Sequence, residues 1–100
     1  MQYTQELSGD SALMSLSGKF MFADHGAFNE ILSLIKGGTV KAVTLDLDQV
    51  EFIDSAALGM FLIAREESQK NNINLTLRSP QGQVAQMFKV SKFDTLFTIR

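Results

Sequence analysis

Ser55 is the residue whose type and position best suit chemistry in this sequence. It follows Asp54 directly, where a predicted buried strand ends and a predicted helix begins. The N–H groups in the first turn of a helix lack partners within the helix, and the helix dipole makes that end positive. A phosphate on Ser55 would be stabilised there. Serine is also a favoured N-cap residue, so the hydroxyl could instead serve only to cap the helix.

Small residues dominate the turn that follows. Ala56, Ala57 and Gly59 keep the start of the helix thin, so that another molecule can approach the serine hydroxyl closely. Asp54 would repel a phosphate already in place, but it could hydrogen-bond the unmodified hydroxyl or help a kinase to orient it. In open α/β sheets, functional sites lie at the carboxyl ends of parallel strands. Residues 50–62 are therefore predicted to be the working segment.

The remaining titratable residues do not form a catalytic or metal-binding pattern. Asp46 and Asp48 would share one face of an extended segment, whereas Asp54 belongs to a later turn, which favours solvated carboxylates over a magnesium site. His25 is the only histidine, and its place in the first turn of an early helix favours an exposed surface residue over a member of a Ser-His-Asp triad. We therefore expect no enzyme, no metal and no cofactor.

The composition excludes several classes of partner. The chain has 100 residues, of which 45% are hydrophobic, and this suits one small domain over residues 1–100. The formal net charge is -2 and the basic residues are scattered singly, which argues against a nucleic acid partner. No apolar stretch is long enough to span a membrane, no signal peptide is visible and there is no cysteine. We expect a cytoplasmic protein.

Hydrophobic periodicity and turn residues predict alternating strands and helices. Residues 3–7 and 12–16 form a hairpin around a turn at Gly9 and Asp10, and Gly18 closes the second strand. The other predicted strands are residues 40–47, 73–77 and 96–99, and the predicted helices end near residues 36, 70 and 90. This order indicates an α/β fold with a mixed, mostly parallel sheet of about five strands and helices packed mainly on one face.

Local residue types set the predicted ends of these elements. Asp24 could cap the first helix, and Gly37 sits where a left-handed helix terminator belongs. Residues 48–54 are predicted to be a short connection. Helical spacing favours core positions for most of Met60, Ile63, Met87 and Phe88, but the helix that opens at Ser55 is apolar on more than one face. Met60 or Phe61 is therefore a candidate for exposure beside the serine, where it would contact a partner.

Residues 52–59, Phe-Ile-Asp-Ser-Ala-Ala-Leu-Gly, resemble the signature of STAS domains, a family that includes the anti-sigma factor antagonists. The signature is an apolar pair, then Asp-Ser, two small residues and Leu-Gly. The resemblance extends to residues 16–20, 43–47 and 84–93, and so covers essentially the whole chain. It implies a STAS fold.

The resemblance also implies a switch. In that family the serine after the aspartate is phosphorylated by a partner kinase and dephosphorylated by a phosphatase, which here makes Ser55 the phosphosite. The unphosphorylated form would bind an anti-sigma factor or a serine kinase, and phosphorylation would block that docking. The candidate partner-binding residues are Asp54, Ser55, Ala56, Ala57, Gly59, Met60 and Asp24.

This chain departs from the family pattern at two places. Members often have Asp shortly after the second-strand glycine, where this chain has Met21, with Asp24 three residues later. Ala57 stands where many members have Gly. Both departures bear on which kinase or partner recognises the loop. The alternative function is a STAS-like adaptor subunit of a transporter or stress-sensing complex, in which Ser55 is not phosphorylated and only caps the helix.

Overall fold

A five-stranded sheet forms the centre of the computed structural model, which describes residues 1–100. Its strands lie in chain order: β1 (Gln2–Ser8), β2 (Ser11–Phe20), β3 (Ala42–Ile53), β4 (Asn74–Arg78) and β5 (Thr98–Ile99). The first two strands pair antiparallel as a hairpin, and every later pair is parallel. The predicted mixed, mostly parallel sheet is confirmed.

Helices join the parallel strands and cover one face of the sheet. They are α1 (His25–Gly37), α2 (Ser55–Lys70) and α3 (Gly82–Val90), with short 3-10 turns at Phe22–Asp24 and Phe93–Thr95. Met14, Leu45 and Leu77 are aligned across β2, β3 and β4, and all three are fully buried beneath the helices. The next residues along these strands point to the other face, which is polar. No helix combines the length and the apolar character that a membrane span requires.

Phe61 anchors α2 in the core. Its ring lies edge-on to four other phenylalanine rings, with centroid distances of 5.3 Å to Phe20, 6.0 Å to Phe28, 5.5 Å to Phe88 and 6.5 Å to Phe93. These rings come from β2, α1, α3 and the second 3-10 turn, so one side chain ties α2 to most of the molecule. Edge-to-face pairs of this kind add to the stabilisation from burial.

The central strand is longer than predicted. The connection predicted over residues 48–54 shrinks to Asp54, because β3 continues to Ile53 and pairs with β2 up to the Phe20–Ile53 position. Gly18 does not end β2 but lies within it at φ 82°, beside a register shift between the two strands. A glycine accepts that left-handed backbone without strain, so the strand bends and goes on.

Two helix-end predictions need small corrections. Gly37 is the last residue of α1, and the left-handed terminator is Gly38 at φ 68°. The predicted strand at residues 96–99 shrinks to Thr98–Ile99, because the chain before it forms a 3-10 turn.

Candidate functional site

Asp54 caps α2. Its backbone is extended, and its Oδ1 accepts a hydrogen bond of 2.9 Å from the N–H of Ala57. Its Oδ2 accepts a bond of 3.1 Å from the N–H of Phe22, which belongs to the connection after β2. The prediction that Ser55 caps the helix is therefore wrong, since Ser55 is already the first helical residue. The Asp54 carboxylate is occupied by backbone groups and makes no hydrogen bond to the serine hydroxyl.

Ser55 is left free by this arrangement. Its side chain is exposed, and its hydroxyl takes part in no hydrogen bond within the protein. Of the first-turn N–H groups, that of Ala57 is taken by Asp54, and that of Asp54 itself donates to the carbonyl of Phe20 at 3.4 Å. The N–H groups of Ser55 and Ala56 remain as donors at the positive end of the helix dipole.

The candidate partner residues on α2 divide by burial. Gly59 is exposed and Ala56 is half-buried, but Ala57 is fully buried and Met60 is only 8% exposed. Phe61 is fully buried as well, so the prediction that Met60 or Phe61 is exposed beside the serine is wrong. Side chains with this burial hold the helix to the core and do not present a surface to a partner.

Three of the exposed apolar side chains were not predicted: sequence reasoning did not single out Phe22 or Leu62, and its default core position for Ile63 is wrong. Leu62 and Ile63 are 41% and 47% exposed, and Phe22 is 65% exposed with its ring stacked on His25 at 5.3 Å. We call Phe22, Leu62 and Ile63 the apolar surface. The spacing of Ser55, Gly59 and Leu62 along one face of α2 would have indicated Leu62. Phe22 lies between β2 and α1, and only its hydrogen bond to Asp54 shows that this segment lies beside the serine.

Gln83, in the first turn of α3, was also missed. Its Oε1 accepts a bond of 3.0 Å from the N–H of Ile53, and its Nε2 donates a bond of 2.9 Å to the carbonyl of the same residue. Ile53 is the residue directly before Asp54. Its partner lies thirty positions away in the chain, and a side-chain amide adds nothing to hydrophobic periodicity, so the sequence carries no signal for this contact.

The family model for the STAS domain matches residues 4–100. The chain belongs to the STAS domain family. A STAS-domain containing protein of Pseudomonas aeruginosa (strain UCBPP-PA14) is 28% identical over 91 residues, which are 91% of this chain and 89% of that protein. The resemblance read from residues 52–59 is thereby confirmed.

Solved structures share the fold of this STAS domain. The anti-sigma factor antagonist SpoIIAA in its unphosphorylated form has a TM-score of 0.83 and 19% identity, and the match covers 99% of this chain and 88% of that one. The Bacillus cell fate determinant SpoIIAA in the phosphorylated form has a TM-score of 0.73 and 18% identity, and the match covers 99% of this chain and 91% of that one. An anti-sigma factor antagonist from Mycobacterium paratuberculosis has a TM-score of 0.85 and 17% identity, and the match covers 98% of this chain and 83% of that one. Structural neighbours of this STAS domain thus include anti-sigma factor antagonists.

Asp24 of the STAS domain ends the 3-10 turn after β2, but its carboxylate does not cap α1. Oδ2 accepts a bond of 2.8 Å from the N–H of Met21, and Oδ1 accepts one of 2.9 Å from the amino group of Met1. The Met21 N–H lowers the pKa of Asp24; burial acts in the opposite direction, and the Met1 amino group adds to the lowering. Asp24 therefore secures the turn that leads to Phe22.

The other candidates stay apart from the site. Asp46 pairs with Arg78 at 2.8 Å and accepts a bond of 3.1 Å from the N–H of Asp48. Burial raises the pKa of Asp46, but the hydrogen bond and charge of Arg78 together with the Asp48 N–H outweigh it, so the pKa lies below its usual value. The structure brings no three His, Asp or Glu side chains into a metal-binding group. His25 is exposed, as predicted, with Nδ1 3.0 Å from the carbonyl of Phe22.

Proposed function

We propose that this STAS domain is a phosphorylation-controlled protein-binding switch of the anti-sigma factor antagonist kind, with Ser55 as the phosphorylated residue. The observation that carries this proposal is the free, exposed hydroxyl of Ser55 at the first position of α2. Because Asp54 supplies the cap, a kinase can modify the hydroxyl without removing a bond that holds the helix.

Phosphorylation of Ser55 would change the charge of the surface without changing the fold. A phosphate adds about -1.5 to -2 charge at pH 7. The N–H groups of Ser55 and Ala56 are available to it, and the helix dipole stabilises it. Asp54 keeps its own two N–H partners, so α2 remains capped. Phosphorylation would then place two neighbouring negative groups on an intact helix end.

The apolar surface offers the contact that this charge would control. In the unphosphorylated form, Phe22 is bonded to the residue before the neutral Ser55 hydroxyl, and Leu62 is exposed on the same face of α2, two turns further along, with Ile63 next to it. An anti-sigma factor or a serine kinase that packs here would bury the hydroxyl at little cost. A phosphate in the same place would have to lose its hydration, which is expensive without a positive partner. Phosphorylation would therefore release the partner, and a phosphatase would restore binding.

The site of modification can be tested directly. Tagged wild-type protein, Ser55→Ala and Ser11→Ala would be purified from the native host, and phosphate would be mapped by mass spectrometry. Ser11 is the matched control, since it is an exposed serine whose side chain makes no hydrogen bond at the start of β2. We expect phosphate on Ser55 in the wild type and in Ser11→Ala. Phosphate at another residue, or retained by Ser55→Ala, would overturn the assignment.

Control of binding needs a second measurement. Calorimetry with the partner that co-purifies with Ser55→Ala should show at least roughly tenfold weaker binding to Ser55→Glu, because like charge and desolvation oppose docking. Equal affinity for the two variants would contradict charge-controlled release.

The exposure of Leu62 and Ile63 also supports a second candidate, an adaptor subunit of a larger assembly. In that case a stoichiometric complex would be indifferent to Ser55→Ala and Ser55→Glu but would be lost in Ile63→Ser. The same purifications distinguish the two functions.

A further inference from the structure

The end of β3 has a strand neighbour on one side only. Its pairing with β4 covers residues 42–46, whereas its pairing with β2 continues to Ile53. The seven residues 47–53 therefore project past β4. At the tip of this projection, the N–H of Asp54 points to the carbonyl of Phe20 on β2, so the N–H and carbonyl of Ile53 point to the side that β4 does not reach.

Gln83 fills the place of the missing strand. Its side-chain amide donates to the Ile53 carbonyl at 2.9 Å and accepts from the Ile53 N–H at 3.0 Å, which are the two bonds that a neighbouring strand would supply. Ile53 is fully buried, and a buried backbone group without a partner is costly. Among the side chains of the molecule, Gln83 is the one that makes both bonds to a single backbone position in this way.

We propose that Gln83 is the positioning residue of the Ser55 loop, and that it makes the geometry of Ser55 depend on the position of α3. Ile53 is two residues before Ser55, and the cap residue Asp54 lies between them. When Gln83 holds Ile53, Asp54 reaches both Ala57 and Phe22, and the hydroxyl is presented at a fixed place. When α3 shifts, Ile53 loses its partner and the loop is released. The consequence for phosphorylation rests on the proposed function; the consequence for the loop does not.

A second contact makes α3 suitable for this role. Gln81, directly before α3, donates from Nε2 to Oδ1 of Asp48 at 3.2 Å, so the start of the helix is bound to the projecting part of β3 at two points. The outer side of the same helix is accessible, with Val90 77% exposed and Met87 half-buried beside Gln83 at a surface cavity.

Hydrogen exchange tests the positioning role without any kinase. The variant Gln83→Met keeps the length of the side chain and removes both bonds. Gln86→Met is the matched control, because Gln86 is exposed on the same helix and its side chain makes no hydrogen bond. We expect the Ile53 amide, corrected for global stability from urea denaturation, to exchange at least about tenfold faster in Gln83→Met and unchanged in Gln86→Met. The Ser55 and Ala57 amide resonances should shift only in Gln83→Met.

Phosphorylation in the native host supplies the functional measurement. Val84→Ala is the control for lost stability, since Val84 is the fully buried neighbour of Gln83 and its loss leaves the amide in place. We expect the phosphate occupancy of Ser55 to fall severalfold in Gln83→Met and to stay at the wild-type level in Val84→Ala. Equal losses of Ser55 phosphate in both variants would overturn the positioning role, because Gln83 would then act only through the stability of the fold.

The failures of the two proposals are distinguishable. An unchanged Ile53 exchange rate in Gln83→Met would overturn the positioning role even if Ser55 were phosphorylated. A wild-type protein without phosphate on Ser55 would overturn the proposed function, and the exchange result would still decide the role of Gln83.

Discussion

The ends of β3 and β4 show two different ways to connect a parallel strand to the helix that follows it. Both are parallel strands that run into a helix on the same face of the sheet. Between β3 and α2 there is one residue, Asp54, and its side chain caps the helix. Between β4 and α3 there are three, residues 79–81, and the N-cap residue Gln81 makes no side-chain cap bond. The connection after β3 is a single residue that caps the next helix. The connection after β4 is longer, and its last residue, Gln81, bonds to Asp48 on β3 instead.

A serine also follows each strand within two residues, and the two serines differ in what surrounds them. Ser55 is exposed on the first turn of a capped helix. Ser79 is half-buried in a left-handed backbone conformation at φ 55°, and its N–H donates to the carbonyl of Arg100 at 2.8 Å. The two serines thus differ in exposure and backbone conformation, and only Ser55 lies directly after a carboxylate that caps a helix.

The largest expected effect comes from breaking the packing that holds the first connection in place. Phe61→Ala removes the ring that four other phenylalanines contact and should lower the free energy of unfolding by about 3–5 kcal/mol. Leu62→Ala, at the exposed neighbour, should change it by less than about 0.5 kcal/mol. Urea denaturation measures both, and Phe61→Leu serves if the alanine variant fails to fold. Similar losses at the two positions would contradict the orientation of α2.

The next effect compares the two N-caps. Asp54→Ala removes two hydrogen bonds and should cost about 2 kcal/mol of unfolding free energy. Gln81→Ala removes no cap bond and should cost less than about 1 kcal/mol, the net value of its bond to Asp48. Asp54→Asn should fall between the wild type and Asp54→Ala, because its amide can accept from Ala57 but has one oxygen fewer for Phe22. Equal costs at Asp54 and Gln81 in thermal or urea denaturation would show that the two connections do not differ as described.

The parts of this molecule that sequence predicted well are those governed by local periodicity. The five strands, the three helices and the mixed sheet follow from alternating and helical patterns, and residues 52–59 indicated the family. Asp54 was not recognised as the cap because Asp and Ser are both good N-cap residues, and spacing does not choose between neighbours. The assignment of the phosphate to Ser55 stays a prediction.

The features that sequence did not predict depend on contacts between distant segments. β3 was ended too early because a register shift breaks its alternation, while pairing with β2 carries it on to Ile53. Met60 is buried since the rotation of α2 is set by the phenylalanine rings around Phe61. The bond from Gln83 to Ile53 spans thirty residues and has no local pattern at all.

The smallest expected effect concerns the ion pair that joins the two strands on the polar face. Asp46 on β3 and Arg78, the last residue of β4, are 2.8 Å apart, but the arginine side chain is 44% exposed, so the pair should contribute less than about 1 kcal/mol. The pKa of Asp46 is lower in the folded protein than its usual value, so the unfolded state binds the proton more readily. The contribution of Asp46 to the free energy of unfolding is therefore present above the unfolded pKa of about 3.9 and is lost as the pH falls through the folded pKa.

The difference in unfolding free energy between the wild type and Asp46→Asn should be constant near pH 6 and should shrink below about pH 4, and 1 M salt should reduce it. Glu51→Gln, at an exposed β3 carboxylate without a hydrogen bond or ion pair, is the control; a pH-independent difference for Asp46→Asn would show that the charge of Asp46 does not couple the two strands.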